Sequence, residues 1–255
     1  MGRLLTGTVL PRTEVAAQDV DHLHDLFVRY YLHVDRPTFD LDWAEKDWAL
    51  LLRDPAGEIR GFTTMKLYDV EVLGRRVRAV FNGNTIIDQA CWGEQELVRT
   101  WCAFMAELKA SDPAIPLYWY LISSGYRTYL FLPLFFREFF PRHDAETPLF
   151  ESRLIESLGR MKFPDEYEDG RIRVTRPREC LRPEIAVPME AKARNPHVRF
   201  FLEKNHGYLS GDELVCVAEF SLENTRRMAH GALSNQFSQA DAAIHRSSHE
   251  SALAC

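Results

Sequence analysis

Residues 77–141 decide how the fold is read: VRAVFNGNTIID (77–88), QACWG (89–93), EQELVRTWCAFMAELKA (94–110), SDPAIP (111–116), LYWYLIS (117–123) and SGYRTYLFLPLFFREFFP (124–141). The first block reads as a strand, Val77–Asp88, and the second as a tight loop, Gln89–Gly93. The third reads as an amphipathic helix, Glu94–Ala110, with Leu97, Val98, Trp101, Cys102, Met105 and Leu108 on one stripe and Glu96, Arg99 and Lys109 off it. Leu117–Ile122 is apolar on both faces, as a strand covered by helices on each side must be. An aromatic helix closing at Pro141 follows. Because a helix joins the two strands, they are expected to be parallel neighbours. Gly93 stands where a strand hands over to the first turn of a helix, and the free amides there suit a phosphate. A helix that merely needs a flexible start is the plainer reading of the same glycine.

Upstream, Asp19 is expected to cap a helix whose apolar positions Leu23, Leu26, Phe27, Tyr30, Tyr31 and Val34 recur at three and four residues. His22 and His24 are two apart and point to different faces, and no H-E-x-x-H spacing occurs, so no metal site is expected. Asp42–Asp47 reads as a short helix or turn, and Trp48–Leu52 as a buried strand. Asp54-Pro55-Ala56-Gly57 then turns the chain so that Ile59–Val72 returns antiparallel, and a turn at Gly74-Arg75 leads into Val77. Downstream, the sequence predicts a helix at Leu149–Leu158, a turn at Phe163–Gly170, a short strand at Arg171–Val174 and a connector with Pro177, Pro183 and Pro188. A helix at Pro196–Lys204, a strand at Glu213–Phe220 and a last helix at Glu223–His230 complete the pattern. The division expected is an N-terminal segment 1–18, a domain 19–233 with an inserted helix 149–158, and a tail 234–255 expected to be disordered because it lacks core-forming residues.

A chain of 255 residues can bury a proper core. Its most apolar run, Leu130–Phe140, is broken by Pro133, Arg137 and Glu138, so no stable membrane span is expected. Met1–Val9 lacks the apolar core and cleavage site of a secretory signal, and a cytoplasmic protein is expected. The cysteines at 91, 102, 180, 216 and 255 are scattered and never in a C-x-x-C pair, which points away from a disulfide framework and a zinc knuckle. A net charge of −6 argues against nucleic acid as a partner.

The order of elements resembles the GNAT superfamily of acyl-CoA N-acyltransferases. Two stretches carry the resemblance: Thr85–Gln95, at the place of the family's pyrophosphate loop, and Leu134–Pro141, similar to its L-Y-x-K-x-G-F-x-P helix end. The resemblance implies an α/β fold, a GNAT-like mixed central sheet flanked by helices, here with extra C-terminal helices and strands. It implies an enzyme that moves an acyl group from a pantetheine thioester to an amine of a small molecule or peptide. It implies no permanently bound cofactor, with acyl-CoA or acyl-phosphopantetheine as co-substrate. The residues it places around that arm are Asn84, Thr85, Ile86, Gln89, Ala90, Cys91, Trp92, Gly93, Glu94, Gln95, Ser123 and Ser124.

The loop departs from the family's R/Q-x-x-G-x-G/A, since only Gly93 matches and Gln95 takes the second small position. A bulkier, less basic loop leaves room for an arm presented by an acyl carrier protein, with one phosphate and no adenosine. In the mechanism the resemblance implies, a backbone N–H near Asn84–Ile86, exposed by a splay and a bulge around Asn82-Gly83-Asn84, steadies the oxyanion. The family's acid tyrosine falls on Phe135, which leaves Tyr129 and then Tyr126 as the nearest phenols, and Asp88 and Glu94 as candidate bases. Cys91, beside a helix start, is a candidate nucleophile or an inert packing group. The cluster Phe131, Phe135, Phe136, Phe139 and Phe140 suggests a medium or long acyl chain; ordinary core or a homodimer face is the alternative. A catalytically idle GNAT-like module binding a carrier or peptide is the competing function.

Overall fold

The computed structural model describes residues 5–174, 179–188 and 190–226. The expected tail, 234–255, lies outside these residues, as does the end of the helix expected at Glu223–His230. Its start is no helix: Thr225 bridges to Phe136.

The sheet grows from the meander that the turns prescribe. β1 (Thr6–Pro11) pairs antiparallel with β3 (Trp48–Arg53), β3 with β4 (Ile59–Val72), and β4 with β5 (Arg75–Ile87). At the first hairpin Asp54 Oδ1 accepts from Ala56 N (2.9 Å) and Glu58 N (3.1 Å). At the second, Leu73 and Gly74 both take positive φ, 50° and 74°, the twist that suits a two-residue β-hairpin. From β5 the chain crosses through α3 (Glu96–Ser111) to β6 (Leu117–Ser123), which is parallel to β5 as expected. β10 (Glu213–Glu219) then lies antiparallel on β6, and the hairpin β7 (Tyr167–Glu168) and β8 (Arg171–Ile172) extends that edge. The strand order is β1-β3-β4-β5-β6-β10-β8-β7. β2 (Tyr31–Leu32) and β9 (Cys180–Leu181) form a separate ladder.

Helices cover both faces. On one lie α3, α4 (Tyr126–Tyr129), α5 (Phe131–Phe135) and α9 (Pro196–Lys204), packed with Leu117, Trp119, Leu121, Leu214 and Cys216. On the other, α1 (Ala17–Tyr30) and α2 (Arg36–Ala44) cover β3 and β4, while α6 (Leu149–Lys162) covers Tyr118, Tyr120, Val215 and Val217. The double-sided apolar pattern of β6 is thus used in full. Two single turns, α7 (Pro183–Ala186) and α8 (Glu190–Ala193), punctuate the proline-rich connector. No helix among the described residues is long and apolar enough to cross a membrane.

Several local expectations change. Residues of the 1–18 segment supply β1, which sequence reading left unassigned. Asp19 does not cap α1; it sits in the first turn and accepts from Arg53 Nη2 at 2.6 Å. α3 begins at Glu96 rather than Glu94, and α6 runs four residues past Leu158. The aromatic helix ends at Phe135, because Phe140 exchanges two backbone hydrogen bonds with Val217 of β10 (2.9 and 2.8 Å), which holds the chain extended there.

The bulge expected in β5 is present. Met65 pairs with Asn82 and Thr63 with Thr85, so Gly83 and Asn84 together face Thr64. A Cβ on Gly83 would lie 2.5 Å from Thr64 Oγ1 and 2.8 Å from Lys46 Cε, both of buried residues. Gly83→Ala is therefore expected to destabilise the protein by about 1–3 kcal/mol, read as a lower midpoint of urea unfolding. An unchanged midpoint would mean that the bulge has slack.

Candidate active site between the parting strands

The parallel ladder of β5 and β6 runs from Arg78↔Leu117 to Asn82↔Leu121 and stops, although both strands continue. Asn82 fixes that point. Its Oδ1 accepts from the indoles of Trp101 (3.0 Å) and Trp119 (2.8 Å), and its Nδ2 donates to Thr63 Oγ1 (3.0 Å). Thr63 is 2.7 Å from Thr85 Oγ1, and Thr85 Oγ1 donates to Gly83 O at 3.0 Å. Indole N–H groups only donate, so the amide orientation and the direction of the whole chain follow: indoles to Asn82, Asn82 to Thr63, Thr63 to Thr85, Thr85 to the bulge.

Two clefts meet at this point. A polar one is lined by the bulge residues Gly83 and Asn84 together with Asp42, Lys162, Glu179 and Glu213, among others. An apolar one, a narrow slot, lies on the α3 side among Leu97, Val98, Trp101, Trp119, Phe131 and Phe135. Asn82, Thr85, Leu121 and Thr128 line both. The gap between the strands therefore joins an apolar slot on one face of the sheet to a charged cleft on the other.

The charged cleft is built by distant elements. From α2, Asp42 pairs with Lys46 and lies 3.6 Å from Lys162 Nζ, and its other oxygen accepts from Asn84 Nδ2 at 3.4 Å. Lys162, at the end of α6, is also 2.9 Å from Glu45 Oε2. Burial pulls the Lys162 ammonium down, but Asp42 and Glu45 outweigh it and the net direction is up; for Lys46, burial prevails and the direction is down. On the opposite wall Ser124 Oγ donates to Glu213 Oε1. Burial, then the nearby Glu213 and Glu179, push the Tyr31 phenol above its ordinary range.

The meander, the bulged strand opening through a loop onto a helix, and the parting of two parallel strands stand in the order that the resemblance implied. No protein-family model and no curated protein matches the sequence. Among solved structures, a probable N-acyltransferase from Enterococcus faecalis V583 aligns at 14% identity and TM-score 0.38 over 49% of this chain and 31% of its own. The GNAT family N-acetyltransferase YhbS from Escherichia coli, solved with CoA, aligns at 13% and 0.34 over 49% and 66%. A GNAT family acetyltransferase from Staphylococcus aureus Mu50 aligns at 11% and 0.40 over 55% and 90%. The match thus spans less than two thirds of the length of the first two.

Of the residues expected around a pantetheine arm, Asn84, Thr85 and Ser124 line the polar cleft. Ile86 turns its side chain into the α1 core, and buried Ser123 donates to Gly125 O. The loop is largely closed on itself. The amides of Gln89, Ala90, Cys91, Trp92 and Glu94 donate respectively to the Tyr30 hydroxyl, Asp88 Oδ1, Asp88 O, Gln89 O and Cys91 O. Gly93 has φ 100°, which explains the glycine, and Gln95 caps α3 without a side-chain bond. Cys91 carries a thiol pushed up by burial and then by Asp88, the reverse of what a nucleophile needs.

Neither cleft counts Tyr126, Tyr129, Asp88 or Glu94 among its lining residues. Tyr129 is fully buried among Phe139, Phe200 and Phe201, donates to Pro141 O at 2.9 Å, and burial drives its phenol far above the usual range. Tyr126 is buried in the same core. The aromatic cluster divides: Phe131 and Phe135, stacked at 5.7 Å, line the apolar cleft, while Phe136 packs on Trp119 and Phe220, and Phe139 on Tyr129 and His197. Thr128, Glu213 and Lys162 were missed; nothing in their local sequence marks them.

Tyr129→Phe is expected to lower stability by about 1 kcal/mol, the scale of one net hydrogen bond, and to leave turnover close to that of the unaltered protein. A large loss of kcat at unchanged stability would return this phenol to the chemistry.

Proposed function

We propose that this protein is an N-acyltransferase moving an acyl group from a pantetheine thioester to an amine. One observation carries this reading: the apolar and charged clefts share Asn82, Thr85, Leu121 and Thr128 where β5 and β6 part. The thioester arm lies in the apolar cleft, with its phosphate toward Gly93 and the first amides of α3. The amine enters from the charged side.

Attack of the amine nitrogen on the thioester carbonyl forms the C–N bond and breaks the C–S bond. Beyond Asn82 the β5 edge facing β6 has lost that partner strand, so a backbone N–H within Asn84–Ile86 is the proposed oxyanion donor. Glu213, lining the cleft beside Ser124, is the proposed acceptor of the proton an incoming ammonium must lose. Thr128, at both clefts, is the group proposed to hydrogen-bond the leaving sulfur, which takes up the amine's second proton. Phe131, Phe135, Trp101 and Trp119 favour a donor longer than acetyl, since each buried methylene contributes about 0.8 kcal/mol before ordering costs.

Intact-mass detection of acyl transfer to a panel of amines, with acetyl, octanoyl and palmitoyl thioesters as donors, tests the reading. Transfer with a preference for octanoyl or palmitoyl is expected; transfer with acetyl preferred overturns the chain-length part, and no transfer to any amine favours the idle binding module. Glu213→Gln is expected to reduce kcat by about 10²–10⁴-fold, the range of general base catalysis, with donor affinity unchanged. In a separate arm, Gly93→Asp should weaken donor binding more than Gly93→Ala, which carries the same backbone strain without the charge. Equal affinities would move the phosphate elsewhere.

A further inference from the structure

The loop between β5 and α3, the helix that carries Leu97 and Val98 of the apolar cleft, is bordered by arginines, and most are engaged. Arg29 lies 3.7 Å from Asp88, Arg60 donates to Asp54 at 2.7 Å, and Arg99 reaches Glu96 at 3.3 Å. Arg127 differs. Its guanidinium carbon sits 4.9 Å from the centroid of the Trp92 ring and 5.5 Å from that of Tyr126, and no carboxylate is within ion-pair distance of it among the described residues. Ring faces hold a guanidinium plane without using its N–H fork, so the fork stays available to an anion.

Its position is specific. Trp92 belongs to the loop and is tied to the end of β5 by its indole, which donates to Ile87 O at 3.0 Å. Arg127 is the neighbour of Thr128, which lines both clefts, and it stands on the exposed side of α4. Leu97 and Val98, in the first turn after the loop, form the facing wall of the apolar cleft. The Arg127–Trp92 pair therefore joins the loop to α4, one residue from Thr128 of that cleft. The loop itself offers little to a second phosphate: five of its amides already have acceptors, four within the loop and one on Tyr30, and Asp88 and Glu94 add negative charge.

We propose that Arg127, held over Trp92, binds the single phosphate of the donor's 4′-phosphopantetheine arm, and that the protein draws nothing further from an adenosine diphosphate portion. A guanidinium fork matches one phosphate bidentately. The inference rests on the acyltransferase reading for the identity of the arm. The 4′-phosphate on pantetheine is common to coenzyme A and the arm of a carrier protein, and the ligands in the test show whether the adenosine diphosphate portion of coenzyme A adds to it.

Binding of pantetheine, 4′-phosphopantetheine and coenzyme A to the full chain and to Arg127→Gln is compared by titration calorimetry, which needs no turnover. The phosphate is expected to improve affinity about tenfold or more in the unaltered chain, the scale of a charged hydrogen bond. Most of that gain should vanish in Arg127→Gln, and coenzyme A should bind within a few-fold of 4′-phosphopantetheine. Because Arg127 is exposed, the variant should keep its melting temperature. A phosphate gain that survives in Arg127→Gln overturns the assignment, and coenzyme A binding far more tightly than phosphopantetheine overturns the single-phosphate part. Failure of acyl transfer alongside the expected binding pattern would sink the acyltransferase reading while leaving the arginine as the phosphate site.

Discussion

A single side-chain oxygen, Asn82 Oδ1, receives two buried indole N–H groups, and the geometry of the site depends on that convergence. Trp101 comes from α3 and Trp119 from β6, so the amide ties the crossover helix and the parallel strand to β5 at one point. Removing it would leave both indole donors unsatisfied in the core, at about 1–3 kcal/mol each. Its other end runs through Thr63 and Thr85 to the carbonyl of Gly83, which fixes the bulge in register with β4. The last paired residue of β5 and the origin of the bulge are thus set by one network.

That constraint gives the sheet an opening with different chemistry on its two faces. Toward α3 the gap meets tryptophan and phenylalanine; toward α1, α2 and α6 it meets carboxylates, Lys162 and hydroxyls. Under the proposed acyl transfer, a donor with an apolar acyl chain and an acceptor with a charged amine would meet at a few shared residues without either passing through the other's environment. Asp42 contributes to this asymmetry twice, holding Lys46 under the bulge and reaching Lys162 and Asn84 in the cleft. Buried lysines of this kind persist only when paired, because an isolated buried charge is far more costly than a salt bridge.

The aromatic segment after β6 shows how tertiary contacts override local reading. Its phenylalanines read as part of one helix closing at Pro141, yet only Phe131 and Phe135 face the cleft. Beyond Phe135 the chain straightens because Phe140 is captured by the backbone of Val217, and Phe136 and Phe139 become core. Phe135, where the resemblance set the family's tyrosine, lines the apolar cleft, while Tyr126 and Tyr129 are buried in the core away from it.

Sequence by itself determined the strand–helix–strand core, the parallel pairing of β5 with β6, the meander and its turns, and the bulge at Gly83 and Asn84. These follow from periodicities of two and 3.6 residues and from glycine and proline punctuation, which are local properties of the chain. Tertiary structure alone decided which polar groups serve the gap. Asn82 meets indoles 19 and 37 residues away, and Ser124 meets Glu213 across 89 residues. Tyr129 shares its neighbourhood in sequence with Thr128 but turns into the core, because successive side chains on a helix point about 100° apart and one of the two had to fill the space between Phe139 and Phe201. No spacing along the chain encodes such a choice; it is settled when the elements pack.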